Sequence, residues 1–208
     1  MRLIGMMDSP YVRRVAVSMN AMGLKYDHEP VSVFRHFDAF AAINPVVKAP
    51  TFVTDEGIML VDSTLILAHL DRIVAPERQL SPTTIEAHAR AQRIVGLALA
   101  ACEKTMQLVY ETKLRPEEKQ HDWWRERVHG QLAAAYRLLE AEIGSGDASG
   151  PNWLFGDRPL QADISSAVAW RFTNGELPGV VAAEAHPKLA RLAERAEALP
   201  EFVKAPYE

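Results

Sequence analysis

Three short stretches in the first third of the chain put polar side chains where a helix or a strand begins. In "MMDSPYV", Ser9 stands directly before Pro10, so the spacing predicts an N-cap followed by proline at the first helical position. In "NPVVKAPTFV", Lys48, Ala49 and Pro50 lead into an apolar strand, and in "VDS" Asp62 or Ser63 caps a second helix. The chemistry open to such positions is anion binding. The first N–H groups of a helix lack intrahelical acceptors, and a serine hydroxyl beside them adds a further donor. Taken singly, each stretch also has an ordinary reading: a capped helix, a loop into a strand, another N-cap.

Other constellations are missing from the sequence. The seven histidines, at 28, 36, 69, 88, 121, 129 and 186, form no His-Glu-x-x-His or Cys–His set, so no metal is expected. There is no Gly-x-Ser-x-Gly elbow for a hydrolase. "HDWWRER" sits at helical spacing and reads as a half-buried face, and "GSGDASGPN" (144–152) lacks a Gly-Lys-Ser/Thr ending and reads as a connector. The single cysteine, Cys102, lies in the apolar run "IVGLALAAC" and is expected as a small buried hydrophobe in a reducing compartment. A net charge of −4 leaves no broad basic face for nucleic acid. No apolar run approaches the ~20 residues of a membrane span, and the N-terminus is too short of apolar residues for a signal peptide. A cytoplasmic location is the resulting expectation.

The elements that must position these residues follow from periodicity. "RLIGM" is a short strand. Val12, Val15, Ala16 and Met19 fall at i, i+3, i+4, i+7 of a helix that Gly23 ends. "KYDHEPVSV" reads as a second strand and "DAFAAIN" as a short helix stopped by Pro45. "TFVT" and "IMLV" flank "DEG" as a hairpin, and "STLILAHLDRIV" is a helix. The order is β-α-β-α-β-β-α over residues 1–75, with a linker at 75–83. Residues 84–208 read as all-helical, with a long segment at 84–112, a helix opened by Pro116, a helix at "LQADISSAVAWRF", and a last one near 186–199. The fold class is therefore α/β plus all-α.

The three stretches, in that order and on those elements, resemble the thioredoxin-like half of the glutathione transferases. "FGDRPLQADISSAVAW" is similar to the start of a buried helix in the helical-bundle C-terminal domain of that family, and "SPYVRRV" is most similar to its serine-type bacterial cytosolic members. The likeness covers essentially the whole chain. It implies a detoxifying transferase with glutathione as co-substrate and no metal. It implies a cis bond between Ala49 and Pro50, with the Ala49 backbone pairing with the cysteinyl residue of glutathione. It implies that Ser63 receives the γ-glutamyl carboxylate, that Asp62 takes the adjacent amine, and that Lys48, His36 or Arg35 holds the glycine carboxylate. Ser9 would donate a hydrogen bond to the glutathione sulfur rather than act as a nucleophile. A small electrophile would lie against Tyr11, Phe34, Met106 and Tyr110, and a homodimer is implied. Glutathione-dependent peroxide or disulfide reduction, and a non-catalytic glutathione-binding role, stay open beside conjugation.

Two departures from the family pattern carry their own expectations. Val47 stands where glycine is usual, and a β-branched residue resists positive φ, so the loop is expected on a different path. Leu160 stands where Ser or Thr caps the helix, so Asp163 is expected to bond first-turn N–H groups without a reciprocal capping box. Asp163 is read as structural.

Overall fold

The computed structural model describes residues 1–144 and 153–208; all of the connector at 144–152 except Gly144 lies outside them. The described residues group into two compact units, Met1–Ser81 with Ala198–Glu208, and Pro82–Glu197. The boundary falls inside the expected linker. The tail differs from expectation, since its last eleven residues cluster with the first unit rather than with the helices.

The first unit follows the anticipated order: β1 (Arg2–Ile4), α1 (Pro10–Ala21), β2 (Asp27–Glu29), α2 (Phe37–Ile43), β3 (Thr51–Val53), β4 (Met59–Val61) and α3 (Ser63–Ile73). The sheet order is β2-β1-β3-β4. β1 and β2 are parallel, because α1 carries the chain across between them, with Leu3 opposite His28. β3 runs antiparallel to β1 and turns back into β4, with Phe52 facing Leu60. Gly57, at φ 82°, closes that hairpin.

Strand β2 is shorter than the nine residues expected. Beyond Glu29 comes Pro30, which has no N–H for the ladder. The apolar stripe of α1 is fully buried, as are Leu3, Ile4, Phe52, Ile66 and Leu70. The helix ends in a Schellman motif: Leu24 N–H bonds Met19 O at 2.9 Å, Gly23 N–H bonds Asn20 O at 3.0 Å, and Gly23 takes φ 68°. The tail adds α8 (Pro200–Val203), a short helix that periodicity did not reveal. Its segment meets α1 through Arg13, whose Nε donates to Ala205 O at 2.9 Å and whose guanidinium lies over Phe202.

The second unit comprises α4 (Ile85–Val109), α5 (Asp122–Gly144), α6 (Gln161–Glu176) and α7 (Pro187–Glu197). Pro116 does not open α5. It precedes only a 3-10 turn at Glu117–Lys119, and α5 starts at Asp122, because the end of α4 widens into a π turn at Tyr110–Leu114. That turn is held by buried Glu111, which accepts His121 N–H at 2.8 Å and pairs with Arg115 at 2.9 Å. Cys102 is buried as expected. Buried Tyr136 donates to Ala169 O at 2.8 Å and lies 2.6 Å from Thr173 Oγ1. Loss of water around it pushes its phenol well above the usual range. Among the described residues, no helix is long and apolar enough to cross a membrane.

Candidate functional site

Ser9 caps α1, with extended backbone angles (φ −73°, ψ 121°) and Pro10 behind it. Its Oγ lies 3.5 Å from Val12 N. That is longer than the usual 2.7–3.2 Å for N–H···O, so the hydroxyl is only weakly committed to its own helix. As a capping acceptor it also keeps its proton for another partner.

The Ala49–Pro50 bond is cis. Val47 corrects the expectation for the preceding loop: it adopts φ 50°, the conformation in which a glycine is usual, instead of sending the chain elsewhere. The reason lies in two buried polar side chains. Asn44 Nδ2 donates to Thr51 Oγ1 at 2.8 Å, Thr51 Oγ1 donates to Lys48 O at 2.8 Å, and Asn44 Oδ1 accepts Val46 N–H at 3.0 Å. This clasp spans the loop and outweighs the local backbone preference of one valine.

Gly5 joins two of the three stretches. At φ 137°, an added Cβ would come within 2.6 Å of a Val12 methyl carbon and 3.1 Å of Ala49 Cβ. The loop before Ser9 and the cis-proline loop therefore approach so closely that a side chain at position 5 would drive them apart.

The third stretch opens α3. Asp62 is the N-cap, and its Oδ1 accepts Thr64 N–H at 2.9 Å. It holds φ 71°, uncommon for a residue with a side chain though less so for aspartate. Ser63 is the first helical residue and is buried. Its Oγ accepts a 3.0 Å hydrogen bond from Arg14 Nη1, which also reaches Thr64 Oγ1 at 3.2 Å. Arg14 joins α1 to the start of α3, and sequence reasoning did not single it out. The signal was present in "RRV": two arginines within a helix whose neighbours on every side are core residues.

The candidates for a second carboxylate remain three. Arg35, His36 and Lys48 are all exposed. His36 Nδ1 accepts Ser32 N–H at 3.3 Å, which leaves the proton of a neutral ring on Nε2, facing away from that bond. Of the side chains expected around an electrophile, Tyr11 is half-buried and Phe34 is 58% exposed in the first unit. In the second unit, Met106 is half-buried and Tyr110 is 41% exposed in the π turn, where partial burial raises its phenol above the usual range. Among the described residues, no group of three or more His, Cys, Asp or Glu could hold a metal ion.

Asp163 accepts Leu160 N–H and Leu154 N–H, each at 3.0 Å. The first is half of a capping box. Leucine has no oxygen to complete it, and the second bond reaches back into the loop preceding α6 instead of into the helix.

A four-stranded mixed sheet with a cis-proline loop, followed by a helical unit, defines a thioredoxin-like domain joined to a helical bundle. The sequence patterns described as glutathione S-transferase, N-terminal domain, and glutathione S-transferase, C-terminal domain, match residues 3–78 and 124–195, and the chain belongs to the glutathione S-transferase family. It is 29% identical to a maleylacetoacetate isomerase of Pseudomonas aeruginosa, over 92% of this chain and 89% of that one. A glutathione S-transferase of Methylobacterium radiotolerans, solved with glutathione sulfonate, superposes at a TM-score of 0.87 with 27% identity, over 100% of this chain and 95% of that one. A glutathione transferase family member of Pseudomonas fluorescens Pf-5, solved with S-(propanoic acid)-glutathione, superposes at 0.82 with 26% identity, over 98% and 97%.

Proposed function

We propose that this chain is a glutathione transferase that binds the tripeptide on its first unit and directs its thiolate at an electrophilic carbon. The observation that carries the reading is the Ser9 hydroxyl at the mouth of α1, which accepts only a long 3.5 Å bond from Val12 N–H and keeps its own proton to donate. A free thiol has a pKa of ~8.5, so only about 3% is thiolate at pH 7. Lowering that value by ~2 units requires roughly 2.7 kcal/mol of preference for the anion. A hydroxyl donor to a charged acceptor supplies about 1.5–3 kcal/mol. The first turn of α1 adds about 0.3–1 kcal/mol. Together they suffice without a metal or a base.

In this reading the Ala49 backbone pairs with the cysteinyl residue, Ser63 receives the γ-glutamyl carboxylate, and Asp62 takes the amine. His36, Lys48 or Arg35 meets the glycine carboxylate. Tyr11 and Phe34, both on the first unit, are the proposed electrophile contacts. In conjugation the sulfur bonds to carbon as a leaving group departs with its electron pair. The related isomerase favours a second reading on the same thiolate: sulfur adds to an activated cis double bond, the bond rotates, and expulsion of sulfur regenerates glutathione. A cytoplasmic homodimer belongs to the same proposal; α3 exposes Leu65 and Ile73, and α4 exposes Ile85.

Calorimetry with glutathione comes first: no heat at millimolar ligand overturns the proposal and the glutathione-binding alternative with it, while binding without turnover on any substrate leaves the non-catalytic glutathione-binding role. Turnover with a chlorinated aromatic and with a cis-enedione acid then separates the rest by stoichiometry. Conjugation consumes one thiol per product and isomerisation none. Conversion of two thiols to a disulfide, seen with a hydroperoxide alone, would make the protein a reductase.

A further inference from the structure

We infer that Arg14 is a positioning residue that sets the Ser63 hydroxyl as a donor toward the γ-glutamyl carboxylate of glutathione. This rests on the glutathione reading above. Arg14 is 2% exposed and Ser63 4%, so water competes little for the bond between them. A guanidinium can only donate, so at 3.0 Å the Ser63 oxygen is the acceptor in its bond to Arg14 Nη1. The single hydroxyl proton must then point away from Arg14. The same nitrogen donates to Thr64 Oγ1 at 3.2 Å, and Thr64 N–H is taken by Asp62 Oδ1 at 2.9 Å. The first two side-chain hydroxyls of α3 are thus both held as acceptors by one cation, with their protons left for another partner. An incoming carboxylate accepts and cannot donate, so it meets a hydroxyl already turned the right way. Polarisation of the O–H by a charged donor strengthens that bond further.

Arg14 acts through Ser63 and does not touch the ligand. Its effect is therefore confined to ligands that carry the γ-glutamyl carboxylate. The discriminating pair is glutathione and 4-aminobutyryl-cysteinylglycine, which lacks only that carboxylate. Calorimetry on the full chain is expected to show wild type preferring glutathione. In Arg14→Met, affinity for glutathione falls about tenfold, equivalent to 1.4 kcal/mol, while affinity for the analogue holds. Ser63→Ala loses the same preference, and the double variant loses no more than Ser63→Ala alone. Arg14→Lys, which keeps a cationic donor, recovers part of it.

Losses that add in the double variant, or that fall equally on both ligands, overturn the inference. Because a buried arginine can be needed for folding, a second measurement uses wild type. The Arg14 guanidinium nitrogen resonances are expected to shift with glutathione and to stay in place with the analogue, and identical behaviour with both ligands overturns the role. Wild type that binds neither ligand overturns the glutathione reading and this inference together. Wild type that discriminates, with Arg14 variants that discriminate equally, removes Arg14 alone.

Discussion

In the proposed chemistry Ser9 meets two demands with one oxygen, and they do not conflict. Its lone pair faces Val12 N–H at 3.5 Å, while its proton remains for an anion. Ser9→Ala is expected to lower turnover at pH 6.5 by about 10- to 100-fold, the equivalent of a lost 1.5–3 kcal/mol hydrogen bond to a charge. Glutathione affinity should change little, and raising the pH toward the free thiol range should recover much of the rate, since the thiol then ionises unaided. Comparable turnover of variant and wild type at pH 6.5 would remove Ser9 from the chemistry. Ser9, Pro10 and Ser63 were legible because their meaning is local: each type suits a helix start whatever surrounds it. Arg14 was not, because its role depends on α3, which begins 49 residues later. Gly5 escaped for the same reason. What forbids a side chain there is a methyl of Val12 and the Cβ of Ala49, and neither contact leaves a trace in the neighbouring sequence.

At the level of elements, periodicity located the helices well and the strands only roughly. Three-residue strands such as β2 and β4 are too short for alternation to show, and their ends are set by the partner strand. The π turn after α4 was equally hidden, because Glu111 is buried by contacts with residues ten positions on. Val47 is the clearest case of a local preference overridden. Left-handed backbone costs an L residue roughly 1–2 kcal/mol, and the Asn44–Thr51 clasp holds it there regardless. Val47→Gly removes that cost but gives the unfolded chain about 0.4–1 kcal/mol more entropy to lose. A net gain of about 1 kcal/mol is expected in urea unfolding. A lower midpoint in the variant would mean that the valine side chain contributes more through its contacts than it costs in strain. The loop ahead of the cis bond should keep its path, so glutathione affinity is expected to stay within about twofold, under 0.5 kcal/mol.

Across the whole molecule, the order of elements and the division near residue 81 were readable, while the return of the tail to the first unit was not. A segment as short as α8 has no periodicity of its own; Phe202 and Ala205 are buried because Arg13 meets them, not because of any pattern. Asp163 was expected to be structural, and its surroundings turn that into a pH dependence of the fold. Burial raises its carboxyl from 3.8 to about 6, against the opposing pull of N–H groups from Leu154 and Leu160 and the charge of Arg195. The unfolded chain releases this proton near 3.8, while the folded chain retains it to about 6, so the folded state binds more protons across that interval. Stability from this group is therefore fully present below pH 3.8 and is lost as pH rises through 6, by about 3 kcal/mol in all. Other carboxylates titrate in the same window, so the comparison must be differential. Asp163→Asn keeps one acceptor and loses the other, which destabilises the chain at every pH, but it cannot titrate. Urea titrations at several values between pH 4 and 7 should show wild type well above the variant at the acid end and the gap narrowing toward neutrality. Parallel profiles for the two proteins would mean that Asp163 is already ionised in the folded chain at the acid end, with its two backbone donors strong enough to offset burial.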